Sequence, residues 1–161
     1  STTTSTDTNF LEYKIYYSTT TPVLTTNTAI TSSTNANLGN SNFNGSSSYS
    51  LSSLTPNTTY YFTIYAYDTW AYSTSSVAEL STSTLSAIPT TPTISSPSTN
   101  SLLVTWTANN NPAGTVYELY NVTSSSVATT TTDLSFTVPG LTPNTSYTFK
   151  VRAQNTANPT T

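Results

Sequence analysis

The chain has 161 residues, of which 34% are hydrophobic, 12% aromatic and only 6% charged, with a net charge of −3 and no Cys, His or Met. That apolar content is enough for a packed core and excludes wholesale disorder. The three basic residues, Lys14, Lys150 and Arg152, give no footprint for nucleic acid or an anionic membrane. Ser and Thr make up about two fifths of the chain, so its surface is mostly hydroxyls and amides, bare or carrying sugar. Neither a signal peptide nor a membrane-spanning run is apparent, and an opening of Ser-Thr-Thr-Thr without Met reads as a processed chain or a fragment. Low Lys content together with this surface points to an extracellular protein.

In chain order, the first predicted strand covers residues 11–17, where inward and outward positions alternate. A Thr/Asn-rich stretch follows around residues 25–45, and Tyr49 and Leu51 mark the next strand. Pro56-Asn57 is a turn, with Pro fixing φ and Asn tolerating a tight corner. It leads into residues 60–66, where Tyr60, Phe62, Ile64 and Ala66 point one way and Tyr61, Thr63 and Tyr65 the other. Trp70 and Tyr72 fall in the following loop, and a further strand is expected over residues 77–84. In the second half Leu102, Val104 and Trp106 form one face of a strand, residues 116–120 another, and residues 147–153 a third after the Pro143-Asn144 turn. Nothing has a helical period.

An internal repeat organises these elements. Leu54-Thr-Pro-Asn-Thr-Thr-Tyr60-Tyr-Phe62-Thr-Ile64-Tyr-Ala66 recurs as Leu141-Thr-Pro-Asn-Thr-Ser-Tyr147-Thr-Phe149-Lys-Val151-Arg-Ala153, 87 residues later. At the same offset Tyr49 and Leu51 match Phe136 and Val138. A repeat of that length is a whole small domain.

The run Pro89…Pro92-Thr-Ile94, Leu102-Leu-Val104-Thr-Trp106, Tyr117-Glu-Leu119 and Leu141 to Ala153 resembles a fibronectin type III domain. The resemblance implies an all-β chain of two tandem fibronectin type III / immunoglobulin-like β-sandwich modules, with strands A, B and E facing C, C′, F and G. It implies that Trp106 is the core Trp of strand B, and that Tyr60 and Tyr147 are the strand-F tyrosines. Residues 1–85 form a partial module, strands C to G, that lacks A and B. Residues 86–161 form a module, strands A to F, that lacks G. Leu54 lies 41 residues after Tyr13 and Leu141 only 24 after Tyr117, so the first module carries an insertion of 17 residues between C and E.

Catalytic chemistry is poorly supplied. Without His or Cys there is no ordinary Ser-His triad, thiolate nucleophile or zinc site. The acids Asp7, Glu12, Asp68, Glu79, Glu118 and Asp133 are scattered, with no close calcium-binding pattern. No catalytic residue, metal site or cofactor is expected. Asn44, Asn57, Asn121 and Asn144 each open an N-x-[ST] sequon and are candidate glycan acceptors, though chance alone makes sequons in a chain this rich in Asn and Thr. Thr/Pro tracts at residues 19–22 and 89–92 read equally as O-glycosylated stretches or plain linkers. Tyr16, Tyr61, Tyr65 and Tyr67 are expected on the outer face of the first module's sheet, with Trp70 and Tyr72 beside it. Such a face suits a sugar or a partner protein, or simply packs against itself.

Two functional classes follow. One is a structural protein, the repeating subunit of a surface fibre or stalk. The other is an adhesin or carbohydrate-binding accessory module of a larger secreted protein. Missing strands must be supplied by further modules of the same chain, by neighbouring copies, or not at all if each module is self-sufficient. The Thr-rich segment over residues 1–9 is the candidate donor to a neighbouring copy, in a head-to-tail assembly.

Overall fold

In a computed structural model the described residues are 9–39, 48–75 and 78–155. The chain divides into two compact units: Ser1–Ser53 with Thr59–Thr82, and Leu54–Thr58 with Ser83–Thr161.

The strands of the first unit form a single antiparallel sheet. β1 (Phe10–Ser18) and β3 (Thr59–Asp68) pair along almost their whole length, and the short β2 (Thr28–Ile30) lies on the other edge of β1. β4 (Ser73–Ser75) and β5 (Leu80–Ser83) both pair with β3. β5 falls within the strand expected over residues 77–84, of which residue 77 lies outside the described residues, and β4 is a separate short strand that the sequence did not suggest. A bulge at Leu11 shifts the register between Phe10 and Glu12. The described part of the Thr/Asn-rich insertion supplies β2 and one turn of 3-10 helix, Ala36–Leu38, after which Gly39 bridges to Glu12. The strand expected at Tyr49 and Leu51 does not form; residues 48–54 hold no strand. Its counterpart in the second unit pairs only with the Leu102–Thr105 strand, and the described residues of the first unit contain no equivalent of that strand.

The second unit is a two-sheet sandwich. β6 (Thr93–Ser95), β7 (Leu102–Thr105) and β10 (Ser135–Val138) form one sheet in the order β10-β7-β6. β8 (Tyr117–Asn121), β9 (Ser126–Thr131) and β11 (Phe149–Ala153) form the other, in the order β11-β8-β9. Val104, Trp106, Tyr117, Leu119, Val138, Phe149 and Ala153 form the buried cluster between them, with Leu141, Phe136, Tyr147 and Val151 packed against it. The alternation in β8 is clean: Tyr117, Leu119 and Asn121 are buried and the two residues between are not. Trp106 lies against Tyr117 with ring centroids 6.1 Å apart. Tyr147 precedes β11, and its hydroxyl accepts the N–H of Thr142 at 2.9 Å, closing the turn before the strand.

The outer edge of β11 is open among the described residues. Val122 N–H donates to Thr148 C=O, and Gln154 N–H to Val116 C=O. Alternation of an antiparallel ladder then turns the main-chain groups of Phe149, Val151 and Ala153 away from β8. Ser86 Oγ reaches the Ala153 carbonyl at 3.2 Å, but no described strand pairs with this edge.

Candidate functional site: aromatic surface and glycan acceptors

Cross-strand pairing sets the two faces of the first sheet. Glu12, Lys14 and Tyr16 lie opposite Tyr67, Tyr65 and Thr63. The alternation places Tyr16 in solvent; instead it is only 5% exposed. The Tyr65 ring meets it edge-on with centroids 5.4 Å apart, and the Tyr67 hydroxyl hydrogen-bonds its hydroxyl at 2.9 Å. Lys14 Nζ caps the Tyr67 ring, 4.3 Å from its centroid. Burial, then the bond to Tyr67, pushes the Tyr16 phenol up to about 12. Tyr16, Tyr65 and Tyr67 thus pack on one another, which withdraws Tyr16 from any contact surface. Tyr61 is half-buried further along β3, opposite Ser18.

Trp70 and Tyr72 remain free, at 64% and 75% exposed. They sit in the β3–β4 turn, which main-chain and Asp68 hydrogen bonds brace. Asp68 Oδ1 accepts the N–H groups of both Trp70 and Tyr72, at 2.9 and 2.8 Å. Ala71 takes a φ of 66°, and its N–H bonds back to Asp68 C=O. Two large rings therefore project from a hydrogen-bonded turn, and bracing of that kind lowers the entropy lost on binding.

Three of the other acids also have structural roles. Glu12 accepts the N–H and hydroxyl of Ser32 at 2.8 and 2.7 Å and lies 3.5 Å from Lys14 Nζ. Burial pushes its carboxyl up, but the Ser32 bonds and Lys14 together outweigh this and hold it below the ordinary carboxylate range. Glu79 takes the Thr21 hydroxyl and the Val23 N–H, which lower its pKa. Glu118 pairs with Arg152 at 3.0 Å. Among the described residues no three acids gather as a metal-binding group.

The sequons separate by environment. Asn57 is 7% exposed and donates from Nδ2 to Thr115 Oγ1 at 3.1 Å. Asn121 is 5% exposed, and its Oδ1 takes the Ser124 N–H in the β8–β9 turn. Asn144 is exposed, and Asn44 lies outside the described residues. A sequon pattern carries no signal of burial, so this sorting could not be read before the fold. Nor could the anchoring of the aromatic turn by Asp68, which depends on where β3 ends.

The family model for the fibronectin type III domain matches residues 87–161. Chitinase A1 of Niallia circulans is 41% identical over 73 residues, covering 43% of this chain and 10% of the chitinase. The chain therefore spans about a tenth of that relative's length. Two solved structures each cover 90% of this chain: the central fibronectin-III array of RIM-binding protein, at 14% identity and TM-score 0.38 over 51% of its length, and the chicken CNTN1 FN1–FN3 domains, at 18% identity and TM-score 0.37 over 48%. With Trp106 in the core between two three-stranded sheets, residues 87–161 have the sandwich that their match to the fibronectin type III family model implies.

Proposed function

We propose that the chain is a non-catalytic structural protein of the cell exterior, the repeating subunit of a fibre or stalk, completed by strands of neighbouring copies. One observation carries the reading. The first unit's sheet presents Tyr13, Ile15, Tyr17, Phe62 and Ile64 on the face opposite Tyr16; the first four are half-buried and Ile64 is 40% exposed, whereas Ile30 and Tyr60 on the same face are buried. A sheet with one apolar face gains stability by covering it with a second layer, and no second sheet is present in this unit among the described residues. The open edge of β11 adds a row of main-chain donors and acceptors, the natural seat for an added strand. Donor segment and acceptor edge are different surfaces, so repeating the contact gives an open filament. The segment over residues 1–9 is the proposed donor; residues 1–8 lie outside the described residues, and Asn9 anchors the segment, its C=O accepting the Thr69 N–H at 2.9 Å. Electron microscopy of the native material tests the reading. Filaments are expected, with short soluble species after deletion of residues 1–9; monodisperse particles from the undeleted chain overturn it.

The relationship to Chitinase A1 favours a second reading, an accessory module of a larger secreted protein acting on polysaccharide. In that case Trp70 and Tyr72 stack on sugar rings. Retention of the chain on insoluble chitin, lost in Trp70→Ala, separates this reading from the first.

A further inference from the structure

Three sequons fall among the described residues, and the fold treats them unequally. Asn57 and Asn144 occupy the same place in the repeated Leu-Thr-Pro-Asn-Thr turn and take nearly the same left-handed backbone, with φ of 50° and 55°. Asn57 uses its Nδ2 to bond Thr115, so a sugar on that nitrogen would break a buried contact. Asn121 is enclosed under the β8–β9 turn. Asn144 is exposed, and its side chain bonds to no described residue. Ser146, whose hydroxyl completes the sequon, is exposed too. Neighbouring bonds hold the turn: Thr145 Oγ1 to Pro143 C=O at 3.2 Å and Thr142 N–H to the Tyr147 hydroxyl at 2.9 Å. The turn forms one wall of an open groove of about 420 Å3, whose other wall is residues 97–102, mostly Ser, Thr and Asn. The groove's volume exceeds that of a first sugar ring, and its hydroxyls and amides match the hydrogen-bonding groups of one.

We infer that Asn144 is the N-glycan acceptor of the second unit, the first sugar lying along the groove between residues 97–102 and 141–147. The inference rests on the extracellular part of the reading above. The donor is an oligosaccharide linked through its anomeric carbon to a lipid pyrophosphate. Asn144 Nδ2 forms the new bond to that carbon, the bond from carbon to phosphate oxygen breaks, the lipid pyrophosphate leaves, and one amide proton passes to a base. Nothing is oxidised or reduced. A neutral glycan here also adds hydration and bulk to a surface with almost no charge.

The test is glycopeptide sequencing of the native protein after chymotryptic digestion. A hexose- or hexosamine-containing mass on Asn144, with Asn57 and Asn121 bare, is the expected result. Bare Asn144, or equal occupancy of Asn57 or Asn121, overturns the inference. Ser146→Ala destroys the sequon while leaving Asn144 in its left-handed turn. Made in the native host, it should lose the Asn144 glycan mass and keep its far-ultraviolet spectrum; a retained sugar on Asn144 again overturns the inference. Bare Asn144 in material that forms filaments removes this inference alone, whereas glycosylated Asn144 in dispersed particles removes the fibre reading alone.

Discussion

Ile15 and Leu119 occupy matched positions, each two residues after the tyrosine that opens the repeated strand pattern. Leu119 is fully buried, at 0% exposed, while Ile15 is only half-buried. Ile64 and Val151, matched in the later strand, diverge the same way, with Ile64 the more exposed. Local sequence is nearly the same in both copies, so strand formation does not decide burial. The second sheet decides it. β7, with Val104, and the adjoining Trp106 close the core in the second unit, and the described residues of the first unit offer no equivalent. The same absence explains why Tyr49 and Leu51 form no strand whereas Phe136 and Val138 do.

The comparison breaks most directly at Trp106. Trp106→Ala should cost the second unit about 3–5 kcal/mol, as large core truncations do. A loss under about 1 kcal/mol in denaturant unfolding would show that this ring does not close the sandwich. Its indole N–H has no acceptor among the described residues, so the ring is held by packing rather than by a hydrogen bond.

The matched pair sharpens the contrast. On the dispersed chain Leu119→Ala should cost about 2–5 kcal/mol and Ile15→Ala about 1 kcal/mol, since the second side chain leaves less apolar surface out of water. Equal costs would mean that the first sheet already has a covered face.

A smaller effect separates the units by pH. Glu12 is held below its ordinary value of 4.5 in the folded first unit. Its contribution is therefore complete above about 4.5 and is lost as pH falls below that, through the folded value. Glu79 acts in the same direction from a solvated position. The urea midpoint of the first unit should drop between pH 5 and pH 3 by more than that of the second. Glu12→Gln should flatten the drop, and an unchanged drop would remove Glu12 as its source.

The smallest effect is expected at the aromatic turn. Trp70→Ala should alter stability by no more than about 0.5 kcal/mol, because the ring is exposed and Asp68 bonds the backbone rather than the side chain. A larger loss would show that Trp70 supports the fold.

Much of the second unit was legible in its sequence. Period-two alternation marks β8 and β11, the repeat locates their shared turn, and Trp106 lies where the family resemblance puts it. The exposure of single side chains was not legible, because it depends on neighbours distant in sequence. Tyr16 alternates as an outward residue yet is covered by Tyr65 and Tyr67, which stand opposite it only in the folded register. Asn57 and Asn144 share motif and backbone, and Thr115, 58 residues away, distinguishes them. The two exposed rings were visible as residues, but the Asp68 bonds that fix them were not.

Under the fibre reading, hydrogen–deuterium exchange compared between the assembled material and the chain dispersed from it addresses the central claim. Amides of Phe149, Val151 and Ala153 face the open edge of β11, and those of residues 62–66 lie in the half-covered sheet. The β11 group should exchange quickly in the dispersed chain and slowly in the assembly, the already paired amides of residues 62–66 should slow by a smaller factor, and β7 and β8 should stay protected in both. Identical exchange at β11 and residues 62–66 in the two states would contradict completion by neighbouring copies.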